Sequence, residues 1–156
     1  ENPLYSNNKI IGTYVNSIMA LHDAIERGSD EALLLDSNEN ISEGSGENLF
    51  IVKNEELITP TPDNCLNGIT RQSIIKIAQD EKIDVVEKKL KYEDLVDADE
   101  AFFTGTAVEV TPISKVDETT IGDSKIGPIT KKLQKIFTDT VTNKNKKYAH
   151  WLDPIN

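Results

Sequence analysis

Ile41-Ser42-Glu43-Gly44-Ser45-Gly46-Glu47-Asn48-Leu49-Phe50-Ile51-Val52 is the stretch whose reading decides the fold. Gly44-Ser45-Gly46 begins like the glycine fingerprint of a dinucleotide-binding turn, but the third glycine position holds Leu49. That fingerprint must also open a helix, whereas Leu49-Phe50-Ile51-Val52 is a short apolar run of strand character. A doubly wound nucleotide-binding domain is thereby excluded. The two glycines instead mark a turn between strands at 41–43 and 48–53.

The neighbouring segments alternate in kind. Downstream, a strand at 56–59 follows through Lys53-Asn54-Glu55, and Pro60 and Pro62 end the ladder because proline lacks the N–H a strand must donate. Upstream, Glu31 to Asp36 is a short apolar run closed by Ser37-Asn38-Glu39-Asn40, which predicts a buried strand and a turn. Before it, Val15, Ile18, Met19, His22 and Ile25 recur at helical spacing as far as Gly28, predicting a helix over 13–27. Ile74, Ile75, Ile77 and Ala78 predict a helix over 70–81 with Thr70 as its N-cap. Strands are expected at 84–90, 101–104 and 107–116, the last two joined at Gly105-Thr106, with a helical turn over 92–96. Gly127-Pro128 opens a closing helix carrying Ile129, Leu133, Ile136, Phe137 and Val141. Strands and helices mix throughout, without an internal repeat, so the expectation is one mixed α/β domain.

Composition narrows the function. The chain has 156 residues, enough to bury a core without staples, and its 37% apolar and 28% charged residues are those of a globular protein. Its formal charge of −10, with no basic patch, argues against nucleic acid as a partner. The single cysteine, Cys65, can form no internal disulfide and fits a reducing compartment such as the cytoplasm. No apolar run is long enough to span a bilayer and no leader stands at the start, so no membrane insertion is expected. The chain opens at Glu1-Asn2-Pro3 without a methionine and reads as part of a longer protein. Asn40-Ile41-Ser42 matches a glycosylation sequon, a pattern that also occurs by chance. No phosphate-binding Walker loop, paired-histidine motif or Gly-x-Ser-x-Gly elbow is present, and with two histidines no metal site is expected.

Two glycine-marked sites remain. Gly68-Ile69-Thr70 at a helix start and Gly105-Thr106-Ala107 at a strand–strand turn offer backbone N–H groups and hydroxyls suited to phosphate or carboxylate, although each also reads as a plain tight turn. Glu43, ahead of the glycine pair, reads alone as a turn acid. Lys9 reads as a surface lysine, with Gly12 and Tyr14 following it into the first helix.

The order of these blocks carries a resemblance. Lys9-Ile10-Ile11-Gly12-Thr13-Tyr14, Asp30 to Asp36, Ile41 to Phe50, Asn67-Gly68-Ile69-Thr70-Arg71 and Ala98 to Ala107 closely resemble the C-terminal large domain of branched-chain amino acid aminotransferases, class IV enzymes of fold type IV that use pyridoxal 5'-phosphate. Gly127 to Leu133 and Tyr148 to Leu152 are similar to that family's tail. The resemblance implies a mixed sheet wrapped into a pseudo-barrel with flanking helices, and a smaller N-terminal domain absent from this chain that would close over the substrate and give an arginine to the phosphate. It makes Lys9 the Schiff-base lysine and catalytic group, Tyr14 the partner of the ring oxygen and Glu43 the partner of the pyridine nitrogen. It further assigns Leu66 and Gly68 to the cofactor lining, Ile69, Thr70 and Thr106 to the phosphate, and Thr106 and Ala107 to the substrate carboxylate. The implied reaction moves the amino group of leucine, isoleucine or valine to 2-oxoglutarate, giving glutamate, in a homo-oligomer that is a dimer or a hexamer. Ile10-Ile11 and Asn67 depart from the family pattern, which has small residues and proline there, without removing a functional group. D-amino acid aminotransferases and aminodeoxychorismate lyases share the fold, but Glu47-Asn48-Leu49-Phe50 and Ala149-His150-Trp151-Leu152 argue against both. A catalytically silent isolated domain is the alternative of a different class.

Overall fold

A computed structural model describes residues 9–153. Its centre is β3 (Asn48–Lys53), with Asn48 through Val52 all buried. Antiparallel neighbours flank it: β4 (Glu56–Thr59) on one side and β6 (Glu100–Gly105) on the other. β7 (Glu109–Pro112) extends the sheet antiparallel beyond β6, and β5 (Val85–Glu87) lies parallel to β4, so the five strands run β5-β4-β3-β6-β7. The parallel β4–β5 pair needs a crossover, which contains helix α2 (Ile69–Asp80).

The period-two alternation of β3 sorts its side chains between two cores. Phe50 and Val52 join Leu57, Phe102 and Val110 under α2 and α4 (Pro128–Val141), with Ile74, Ile77, Leu133 and Phe137 supplied by the helices. Phe50 and Phe102 stack there with ring centroids 5.1 Å apart. Leu49 and Ile51 face the other way, into a cluster with Ile41, Ile58, Leu90, Leu95, Ala101 and Ile121. That face is closed by the hairpin of β1 (Leu33–Leu35) and β2 (Ile41–Gly44), by a bridge between Ile41 and Leu90, and by residues next to α3 (Tyr92–Val96) and the hairpin of β8 (Lys115–Val116) and β9 (Thr119–Thr120). The expected mixed α/β class with a wrapped mixed sheet and flanking helices is the class observed.

Several expectations need correction. The 31–36 strand shrinks to Leu33–Leu35 and is not buried, because β1 pairs only with β2 and Leu35 stays 52% exposed. Helix α2 starts one residue early: Gly68, in extended backbone, is its N-cap and Thr70 lies buried inside the first turn. The 84–90 strand stops at Glu87. The 107–116 strand shortens to Glu109–Pro112, in which Pro112 still pairs opposite Phe102 and Ile113 N–H donates to Ala101 O at 2.8 Å, and the chain restarts in a separate hairpin at Lys115. Along α4 the buried positions are Thr130, Leu133, Phe137 and Thr140 rather than Val141; Thr140 is accommodated because its hydroxyl donates to Ile136 O. The N-terminal helix α1 (Tyr14–Glu26) has the expected span, but none of its residues is buried, and Val15, Ile18, Met19 and Ile25 are all more than half exposed.

Candidate active site

The β2–β3 turn is built around a glycine. Gly44 N–H donates to Glu47 O at 2.7 Å, and a Cβ at Gly44 would stand 2.9 Å from Glu47 Oε2 and 3.0 Å from Phe103 Cε1, so a side chain there would have to push Glu47 and Phe103 aside. Just before it, the half-buried Glu43 accepts a hydrogen bond from Leu66 N–H at 3.0 Å. Burial pushes the Glu43 carboxyl above its ordinary value, and the Leu66 N–H opposes that shift. Two further contacts stitch the same strand to the same loop: Asn64 Nδ2 donates to Ile41 O at 3.0 Å, and Ser42 Oγ donates to Asn64 O.

The loop then turns into α2. Gly68 N–H donates to Leu66 O at 2.9 Å, and Gly68 caps the helix without any side-chain acceptor. The first N–H groups of an α-helix have no partner within it, so those of Ile69 and Thr70 lie at the positive end of a twelve-residue dipole. Thr104 stands opposite Asn48 in the β3–β6 register; it is fully buried, and its hydroxyl has no hydrogen-bond partner among the described residues. Beyond Thr104, Gly105 packs near the β2–β3 turn, where a Cβ would lie 3.5 Å from Gly46 O and 3.6 Å from Glu47 Cγ. Thr106 and Ala107 are therefore held, exposed, in the turn next to Gly44-Ser45-Gly46.

Glu43, Leu66, Gly68, Ile69, Thr70, Thr106 and Ala107 thus collect at one end of the sheet, although they come from three distant segments. Lys9 is exposed, with Nζ 6.0 Å from the centroid of the half-buried Tyr14 ring at the start of α1. Among the described residues no hydrogen bond, ion pair or ring contact joins either of them to Glu43. No group of described histidine, cysteine, aspartate and glutamate side chains could hold a metal ion. Cys65 is buried and burial pushes its thiol up to about 11, which makes it a poor nucleophile.

Three side chains at this end escape a reading of the sequence. Glu47 is hydrogen-bonded to Glu31, and its carboxyl is raised to about 7, first by burial and then by that bond. Glu31 Oε1 accepts from Ala32 N at 2.6 Å and from Ser45 N at 3.3 Å, while Glu47 Oε2 accepts from Gly46 N at 3.0 Å. Arg71 is 1% exposed and spans Asn67 Oδ1 at 3.0 Å, Pro60 O at 2.8 Å and Glu87 Oε2 at 2.5 Å, fixing the loop to the β4–β5 edge. Asn48 donates from Nδ2 to Leu66 O at 2.6 Å. Its one signal in the sequence is a polar residue at the head of an apolar strand.

Known proteins share this fold. The family described as amino-transferase class IV matches residues 2–116. The branched-chain-amino-acid aminotransferase of Pseudomonas aeruginosa is 49% identical over 140 residues, which make up 90% of this chain and 46% of that protein. Among solved structures, the branched-chain amino acid aminotransferase from Escherichia coli superposes with a TM-score of 0.94 at 41% identity, over 99% of this chain and 53% of that one. The branched-chain aminotransferase of Thermoproteus uzoniensis with norvaline gives a TM-score of 0.93 at 44% identity, over 98% of this chain and 51% of that one. A further structure, a branched-chain amino acid aminotransferase complexed with N-(5'-phosphopyridoxyl)-L-glutamate, gives a TM-score of 0.95 at 41% identity, over 97% of this chain and 52% of that one. The chain spans about half the length of the relatives it matches. With the family match running from the first segment through β8, and with the same fold in those structures, this chain belongs to the class IV aminotransferases.

Proposed function

We propose that this chain forms the pyridoxal-phosphate-binding part of a branched-chain aminotransferase that moves the amino group of leucine, isoleucine or valine to 2-oxoglutarate. One observation carries the reading: the Leu66–Gly68 segment joins a half-buried acid, Glu43, to a helix N-terminus without a side-chain cap. An acid suits a protonated ring nitrogen, and helix amides suit a phosphate dianion. These are the two ends of one cofactor. The names of the relatives, at 42–49% identity, support the amino-acid class.

When bound, pyridoxal phosphate supplies a ring that withdraws the electrons of the substrate's Cα–H bond. The roles left to the protein follow from its own groups. Lys9 contributes the amine that anchors the cofactor's aldehyde and, once freed, carries the proton from Cα. Tyr14 donates its phenol O–H to the ring oxygen. Glu43 is raised by desolvation and regains its charge opposite a cation, which keeps the ring nitrogen protonated. The Ile69 and Thr70 amides, with Thr106, bind the phosphate, while Leu66 and Gly68 line the ring and the Thr106–Ala107 turn takes the substrate carboxylate. A smaller domain supplying an arginine to the phosphate and walls for the substrate side chain would occupy the other half of the relatives' length. A homo-oligomer, dimer or hexamer, in a reducing cytoplasm completes the proposal, supported by the lone, unpaired Cys65.

The test uses the natural full-length protein. Titration with pyridoxal phosphate should produce a visible absorption band, and a coupled assay with leucine and 2-oxoglutarate should show turnover; a protein that does neither overturns the reading.

A further inference from the structure

We propose that Asn48 is the positioning residue of this site: its carboxamide sets the Leu66–Gly68 segment, and through it both Glu43 and the N-terminus of α2. The inference rests on the cofactor reading above and adds a residue that reading does not use. Asn48 is 5% exposed at the first position of the central strand, so its side chain is anchored in the most buried element of the fold. From there Nδ2 donates to Leu66 O at 2.6 Å. Leu66 O also accepts from Gly68 N–H at 2.9 Å, and Leu66 N–H donates to Glu43 Oε2 at 3.0 Å. One residue, Leu66, is therefore gripped from the strand by Asn48, passes that hold forward to the helix cap, and passes it back to the acid.

The other face of the same carboxamide explains Gly68. Asn48 Oδ1 occupies the space where a Cβ at position 68 would be, so a glycine there is a requirement of Asn48 as much as of the helix start. The contacts of Asn64 with Ile41 and of Ser42 with Asn64 hold the loop to β2, but they do not reach Leu66 O or Gly68. Arg71 and Gln72 hold the loop further along, at Asn67 Oδ1 and Asn67 O. Asn48 alone among the described side chains bonds the carbonyl shared by the two halves of the cluster. An aspartate at this position would keep the shape, lose the donor and set a carboxylate against the Leu66 carbonyl.

The test is a double-mutant cycle on pyridoxal phosphate affinity in the full-length protein, read from the visible band of the titrated apoprotein, with thermal unfolding of each apoprotein alongside. Asn48→Asp should weaken binding about tenfold, the scale of one lost hydrogen bond plus a misplaced partner. If Asn48 acts through Glu43, Asn48→Asp/Glu43→Gln binds no more weakly than the worse single variant, whereas independent effects multiply. Gly68→Ala, which drives the carboxamide out of its place, should reproduce the loss and stands in if Asn48→Asp does not fold. Gln79→Ala, exposed far from the loop on the same helix, should leave affinity unchanged. If wild type binds the cofactor and Glu43→Gln weakens it, but Asn48→Asp and Gly68→Ala stay within threefold or their effects multiply with that of Glu43→Gln, the inference is overturned and the functional reading stands. Failure of wild type to bind overturns both.

Discussion

Glu43 and Leu66 are 23 residues apart in the chain, and the Leu66 N–H donates to Glu43 Oε2 at 3.0 Å. The acid is thus aimed by a backbone group rather than by a neighbouring cation. It is left half-buried, and its second oxygen accepts no hydrogen bond among the described residues.

Glu43→Gln should leave pyridoxal phosphate bound, though more weakly, and slow removal of the substrate's Cα proton, because an amide cannot keep the ring nitrogen protonated. The measurement is a stopped-flow half-reaction of the full-length enzyme with leucine. An unchanged deprotonation rate would separate Glu43 from the ring nitrogen.

Lys9→Ala should abolish turnover, by roughly 10⁴-fold or more, since no other amine in the proposed site can both anchor the cofactor and carry the proton. A steady-state leucine/2-oxoglutarate assay reads this directly. Activity within tenfold of wild type would remove Lys9 from the role.

Glu47 gives stability a pH dependence of calculable sign. Its carboxyl is raised from an ordinary value of 4.5 to about 7, so the folded protein holds a proton that the unfolded chain releases over that interval. Stability therefore falls as pH rises from about 4.5 to about 7 and is level in this contribution above it. Glu47→Gln, which can donate to Glu31 without titrating, should flatten the slope and stabilise the protein at pH 8 by about 1–2 kcal/mol, the value being reduced by solvent screening of a half-exposed pair. Urea midpoints at pH 5 and pH 8 test it; equal slopes in wild type and variant would contradict it.

Arg71→Met should destabilise the fold by about 2 kcal/mol, because it leaves Pro60 O with only the weak Cys65 thiol as donor and the partly exposed Glu87 without its counter-charge. Arg71→Lys should recover little, since one ammonium cannot span Asn67, Pro60 and Glu87 as a planar guanidinium does. The check is the urea midpoint at constant slope, and a lysine variant as stable as wild type would refute it.

Much of this fold is legible where local signals are strong. The bounds of β3 and β4 follow from apolar runs of β-branched and aromatic residues ended by Asn54-Glu55 and Pro60, and the start of α4 from Gly127-Pro128. Misreadings occur where two signals compete. Thr70 is a good N-cap by residue type, yet Gly68 takes the position because its extended backbone and the space held by Asn48 put the helix start there. Residues 107–116 look continuous as an apolar and β-branched run, but Ala107 and Val108 belong to the turn after β6, and past Ile113 the chain leaves the sheet for a separate hairpin. The site divides in the same way. Gly68-Ile69-Thr70 and Gly105-Thr106-Ala107 are visible as donors, but their meeting with Glu43 depends on the β3–β6 register and a 23-residue return, neither of which has a local code. Asn48 is invisible for the same reason: its partner is a backbone carbonyl 18 residues away.

Helix α4 begins at Pro128 behind a glycine that offers it no side-chain acceptor. Its first amides are taken instead by Glu100 of β6, through Ile129 N at 3.0 Å and Thr130 N at 2.7 Å, and Gly127 leaves room for that carboxylate where any side chain would overlap it. The start signal of the last helix is thus stored about thirty residues upstream, on a strand that is in position only after pairing with β3. Helix nucleation is costly without such help. The help that Glu100 gives to the first turn of α4 is therefore available only in a chain whose β6 is already in place.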